Sequence, residues 1–191
     1  MARVRARRQG GNTMIEVLIT ILVTSFGLLG IAQLQARMHI AEMEAYQRAQ
    51  ATILLRYITD RINANRKNAP AYVTAEPVGV DRGSQDCSAL TGAGLDLCEW
   101  SNLLAGGGEV LAGRRVGTMI GARGCVFSTD PTTRRYTVAL TWQGLTPTTG
   151  SNSTTCGLGS YPDDRARRAL VAPITIACLQ NDLNTGLCIT P

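Results

Sequence analysis

The feature that most constrains this chain is an uncharged run of 20 residues, Val17 to Ala36. At about 1.5 Å per residue, a helix of that length crosses the roughly 30 Å hydrocarbon core of a bilayer. Leu18, Ile19, Ile21, Leu22, Val23, Phe26, Leu28, Leu29 and Ile31 give it apolar surface. Just upstream, residues 1–11 carry four arginines (Arg3, Arg5, Arg7 and Arg8) and no acid. That flank predicts a cytoplasmic N-terminus and an outward-directed remainder. The competing reading is an ordinary cleaved secretory signal, whose apolar core runs roughly 7–15 residues and ends at small residues. Here Gly30-Ile31-Ala32 offers such a site only from inside the apolar run.

Glu16 separates the two readings. A carboxylate at the start of a membrane helix costs about a few kcal/mol and is usually kept for a partner or a function. It closes the stretch Gln9-Gly10-Gly11-Asn12-Thr13-Met14-Ile15-Glu16 and opens the apolar run. This pattern resembles the class III signal of type IV prepilins: a short basic leader, a glycine, then Thr-Leu/Met-Ile-Glu and a long apolar helix. In that family a membrane-embedded aspartyl peptidase cuts after the glycine and methylates the new amino terminus. The resemblance implies cleavage between Gly11 and Asn12, N-methylation of Asn12, and an assembly charge at Glu16, the fifth mature residue. The mature chain would then have 180 residues and a net side-chain charge of +1. The wider stretch Gly11 to Gln35, with Met14 to Ile19 and Gly27-Leu28-Leu29-Gly30-Ile31-Ala32-Gln33-Leu34-Gln35, most resembles PilV-type minor pilins, the type IV pilus modification proteins. Two positions depart from the family. Asn12 replaces the commoner Phe, and Gln33 stands where major pilins often carry a helix-kinking proline.

No proline occurs before Pro70, so nothing forces a break in a helix from about Thr13 to Asn68. Gly27 and Gly30 are its weak points, suited either to bending or to close helix packing. Beyond Ala36 the pattern becomes amphipathic, with Ile40, Met43, Ile53, Leu54, Tyr57, Ile58 and Ile62 at mixed three- and four-residue spacings. The organisation read from this is a leader at 1–11, a transmembrane and assembly half-helix at 12–36, a stem at 37–68 and a periplasmic head at 69–191.

Within the head, residues 69–94 read as irregular, and a short helix is expected from Leu95 to Leu104 with Trp100 over the core. Strands are expected at Arg123–Ser128, at Arg135–Gln143 and at Arg168–Leu179. The second alternates Tyr136, Val138, Leu140 and Trp142 against Thr137, Ala139, Thr141 and Gln143. Asp130-Pro131-Thr132-Thr133 supplies a hairpin connection, and residues 144–164 read as a long surface loop. The fold class is α+β: a long N-terminal helix laid over a small antiparallel sheet, in agreement with what the pilin resemblance implies.

Six cysteines, Cys87, Cys98, Cys125, Cys156, Cys178 and Cys188, all follow the membrane segment. Their gaps of 11, 27, 31, 22 and 10 contain no CxxC pair, so a zinc or thioredoxin-like site is not indicated. In an oxidising compartment three disulfides is the economical reading. Of the fifteen pairings, Cys87–Cys98, Cys125–Cys156 and Cys178–Cys188 each close a locally irregular section, although sequence does not decide among the pairings.

The net charge of +5 invites a nucleic-acid reading. Its distribution opposes one, because residues 69–191 hold nine basic and ten acidic groups. Arg165, Arg167 and Arg168 form a local cluster, read first as charge guarding a solvated strand edge. Asn152-Ser153-Thr154 matches a glycosylation acceptor, a pattern that a Ser/Thr-rich loop produces by chance. Catalysis lacks a constellation: His39 is the one histidine, and Gly106-Gly107-Gly108 is not followed by the Lys-Ser/Thr of a phosphate loop. The expectation is a non-enzymatic subunit with no cofactor or metal. The resemblance implies as partners the prepilin peptidase, the major pilin, other minor pilins, a tip adhesin and the inner membrane.

Overall fold

The computed structural model describes residues 13–107, 110–111, 114–115, 119–130 and 134–177. Gly11, Asn12, Cys178, Cys188 and the hairpin residues 131–133 lie outside the described residues. The chain divides after Glu42 into two compact units, and helix α1 (Met14–Ala64) contributes to both.

α1 is unbroken through Gly27 and Gly30, and a Cβ added at either would meet no other part of the fold within 4 Å. The helix stops at Ala64, short of the expected Asn68, because polar Asn side chains engage non-helical partners there. Asn65 Nδ2 donates to the Tyr72 hydroxyl (3.2 Å) and Asn68 Nδ2 to Asn65 Oδ1 (2.9 Å). A 3-10 segment, Arg66–Tyr72, carries the chain past Pro70.

The second unit is a four-stranded antiparallel sheet with helix on one face. Its strands are β1 (Val78–Gly79), β4 (Ile120–Asp130), β5 (Arg135–Gln143) and β6 (Arg167–Thr175), in the order β1-β4-β5-β6. A separate two-stranded pair joins β2 (Val110–Leu111) to β3 (Arg114–Arg115). α2 spans Gly92–Leu104, three residues earlier than expected; burial of Ala93 offsets the poor propensity of Gly92 and Gly94. β1 lies inside the section read as irregular, since two residues leave no alternation to detect.

One core joins these elements. From α1 come Ala51, Leu54, Leu55, Ile58 and Ile62, which meet Trp100, Val126, Tyr136, Val138, Leu140 and Trp142. Ile53 and Met43, read from sequence as part of the packed face, are instead 59% and 51% exposed. Trp100 seals the centre, and its indole N–H donates to the Leu54 carbonyl (3.0 Å). Gly124 permits this: a Cβ there would stand 2.2 Å from the Trp100 ring.

The opposite face of the sheet is covered too: residues 144–164 form the largely exposed loop expected from sequence, and a few of its residues anchor it against the sheet. Ala139 and Thr141 are fully buried, and Cys156 and Tyr161 reach under 10% exposure. Cys125–Cys156 staples the loop to β4. The Tyr161 hydroxyl contacts Thr141 Oγ1 (3.0 Å) and the Gly121 carbonyl (3.1 Å). The other disulfide, Cys87–Cys98, ties the segment before α2 to α2 itself. These are two of the three pairs favoured from sequence; the third lies outside the described residues.

Candidate functional site

Every residue from Thr13 to Met43 is exposed. Among them, thirteen large hydrophobic side chains between Met14 and Leu34 show 45% to 87% of their surface. Covering a Leu, Ile or Phe side chain is worth about 1.5–3 kcal/mol, so leaving this many in water is untenable. An 18-residue window here has a mean hydropathy of 2.2, long and apolar enough to cross a membrane.

The polar groups of the segment fit apolar surroundings. The Thr20 hydroxyl donates to the Val17 carbonyl (2.8 Å), Thr24 to Thr20 (2.8 Å) and Ser25 to Ile21 (2.7 Å). Each hydroxyl is thereby satisfied within the helix. The sequence reading passed over these residues; a hydroxyl three or four positions after a carbonyl in an apolar helix was the available signal.

Glu16 is the exception. It sits in the first turn of α1, exposed, with its backbone N–H on the Thr13 carbonyl (3.0 Å). The positive end of the helix dipole favours a carboxylate there, but no cation lies near it among the described residues. Its charge is available to a partner.

Among the described residues, most of the head's charges are, by contrast, engaged within the second unit. Arg165 pairs with Asp163 (2.9 Å). Arg167 is buried and donates to the carbonyls of Thr154 (3.0 Å), Cys156 (3.2 Å) and Ser151. Arg168 donates to Glu44 Oε1 (3.0 Å), Thr148 Oγ1 and the Thr146 carbonyl. Arg167 and Arg168 are thus turned into the fold, contrary to the expectation of a solvated cluster guarding the strand edge, and Arg165 alone stays exposed. Arg123 chelates Asp81 through two bonds of 2.6 and 2.7 Å and lies 4.8 Å over the Tyr161 ring. At the far end of the core Tyr72 donates to Asp96, which also pairs with Arg61 (3.1 Å). Burial and then the Asp96 hydrogen bond push the Tyr72 hydroxyl from 10.0 up to about 12. Burial also acts to raise Glu44, but Arg168 and Thr146 outweigh it and hold that carboxyl below its ordinary value. His39 meets Glu42 at 3.3 Å on the exposed helix surface. Among the described residues no three His, Cys, Asp or Glu side chains are placed to hold a metal ion.

The family model of the prokaryotic N-terminal methylation motif matches residues 6–32. The chain carries the N-terminal signature of a prepilin-type protein. That match takes in part of the basic leader, Gly11, Glu16 and the first turns of the exposed helix, and together they fit a membrane-anchored pilin-like protein. No curated protein and no solved structure matches the chain.

Proposed function

We propose that this chain is a minor pilin of a type IV pilus, of the PilV type, and acts in assembly and not in catalysis. The observation that carries the reading is the union of the methylation motif with an apolar helix whose whole circumference is exposed. Such a surface needs cover first from lipid and then from neighbouring subunits. On this reading the prepilin peptidase cuts after Gly11 and methylates Asn12. The chain waits in the inner membrane with a cytoplasmic N-terminus and a periplasmic head. It then joins the major pilin and other minor pilins in a priming or tip complex that carries an adhesin and supports twitching motility and adhesion.

Glu16 supplies the assembly charge. In a filament core of low dielectric, a carboxylate and a methylated amine of the adjacent subunit attract far more strongly than in water. An unpaired Glu16 stays costly, so entry in the correct axial register is rewarded.

A type II secretion pseudopilin shares the leader and stem and is the second reading. A DNA-binding pilin is disfavoured by the engaged arginines of the head. Fractionation decides between the first two: the protein is expected in sheared pili at a small fraction of the major subunit, and its deletion should reduce piliation. Absence from pili, with a secretion defect on deletion, would assign it to the secretion system.

A further inference from the structure

The outer edge of β6, the last strand of its sheet, carries backbone groups that no strand takes up among the described residues. Its hydrogen-bonding parity follows from both ends of the β5–β6 ladder. Gly144 N–H donates to the Ala166 carbonyl (2.8 Å) and Ile176 N–H to the Arg134 carbonyl (3.1 Å). The register runs without interruption between them, pairing Leu140 with Leu170 and Val138 with Ala172. Hydrogen-bonded pairs alternate in an antiparallel ladder, so Leu170 and Ala172 face β5. Ala169, Val171 and Pro173 then direct their backbone groups outward. Pro173 supports this parity, since a proline loses no ladder bond only in an outward position.

Edge strands are usually blunted by charge, proline, bulges or covering loops, and Pro173 blunts the C-terminal part of this one. The stretch Ala169–Ala172 has no charge and no bulge, and Arg167 and Arg168 are turned away into the 151–156 loop and onto Glu44. Beside Ala169 opens a groove of about 270 Å³ lined by Glu44, Ala45, Arg48, Trp142 and Arg168. Glu44 and Arg168 neutralise one another at 3.0 Å. Arg48 is exposed and has no ion-pair partner among the described residues, which leaves the groove with one uncompensated positive charge.

We propose that this edge docks an extended, acidic segment of a partner protein, added to the sheet as a further strand with a carboxylate on Arg48. The outward N–H and C=O of Ala169 and Val171 match a strand backbone, and Arg48 sets the charge of the side chain beside it. The edge belongs to the head, whichever filament the chain enters.

Amide-resolved hydrogen exchange on the full chain in detergent tests this, with a peptide of about ten residues alternating Val and Glu as probe and its Val/Lys counterpart as control. Without peptide, Leu170 and Ala172 amides should be protected while Ala169 and Val171 exchange freely. The acidic peptide should slow Ala169 and Val171 by about tenfold or more, and the basic one several-fold less. Val171→Pro should abolish the effect while Leu170 and Ala172 stay protected, showing that the sheet has folded. Arg48→Glu, a surface change, should reverse the preference between peptides. Equal protection by both peptides, or by neither, overturns the proposal. So does protection of Ala169 and Val171 in the free chain: if dependent on protein concentration, the occupant is a second copy, and if not, the edge is already covered by this chain.

Discussion

Gly124 has no side chain because Trp100 occupies the place of one. Gly124→Ala would push a methyl within 2.2 Å of the indole, with β4 on one side and α1 on the other. Overpacking of this kind costs about 1–3 kcal/mol, so chemical unfolding followed by tryptophan fluorescence should show a lower midpoint with little change in slope. Tyr72 gives a prediction in pH. Its hydroxyl titrates at about 12 folded against 10.0 ordinarily, so the stability it confers is complete below 10 and is lost as pH rises toward 12. Tyr72→Phe should be less stable at neutral pH, since Asp96 loses a donor, and should fall less steeply between those pH values. At the membrane end, Glu16→Val removes the one charge of the apolar segment. Membrane insertion and cleavage should persist, while the amount in sheared fibres drops by about tenfold or more, as immunoblots of the two fractions will show. Normal incorporation of the processed variant would defeat the pairing role.

At the scale of elements, periodicity marks what is long and regular. The run Val17–Ala36 announced the exposed half of α1, and the alternation from Tyr136 to Trp142 placed β5 with its observed ends. β1 escaped because its two residues, Val78 and Gly79, take their strand character from pairing with Gly124 and Arg123. The 144–164 segment is the largely exposed loop that its Gly, Ser and Thr content announced, but its anchor points were not legible. Its attachment depends on distant contacts, among them Cys156 to Cys125, Tyr161 to Thr141 and Arg167 to the loop carbonyls. No local pattern encodes those. Glu16 and Gly11 were legible because the methylation motif that contains them is a linear pattern. The β6 edge was not, because the direction of Arg167 and Arg168 is a tertiary fact. Replacing both Cys125 and Cys156 by Ser should lower stability by about 3–4 kcal/mol and free the loop, raising amide exchange from residue 150 to 161 while α2 keeps its own staple.

For the whole molecule, two surfaces with different physics emerge from one chain. The first unit offers a helix of apolar side chains whose hydroxyls are internally satisfied, and one carboxylate at its start. The second offers a sheet covered on both faces and, among the described residues, pinned by two disulfides and unpaired along the outer side of β6. On the proposed function, the leader has to be removed before the amine that would pair with Glu16 exists. Processing is therefore the decisive step. Intact mass and N-terminal sequencing of the protein from native membranes test it directly. The expected result is a single methylated terminus at Asn12, with residues 1–11 absent. A terminus at Met1, or one near Gln33 from signal-peptide cleavage, would contradict it.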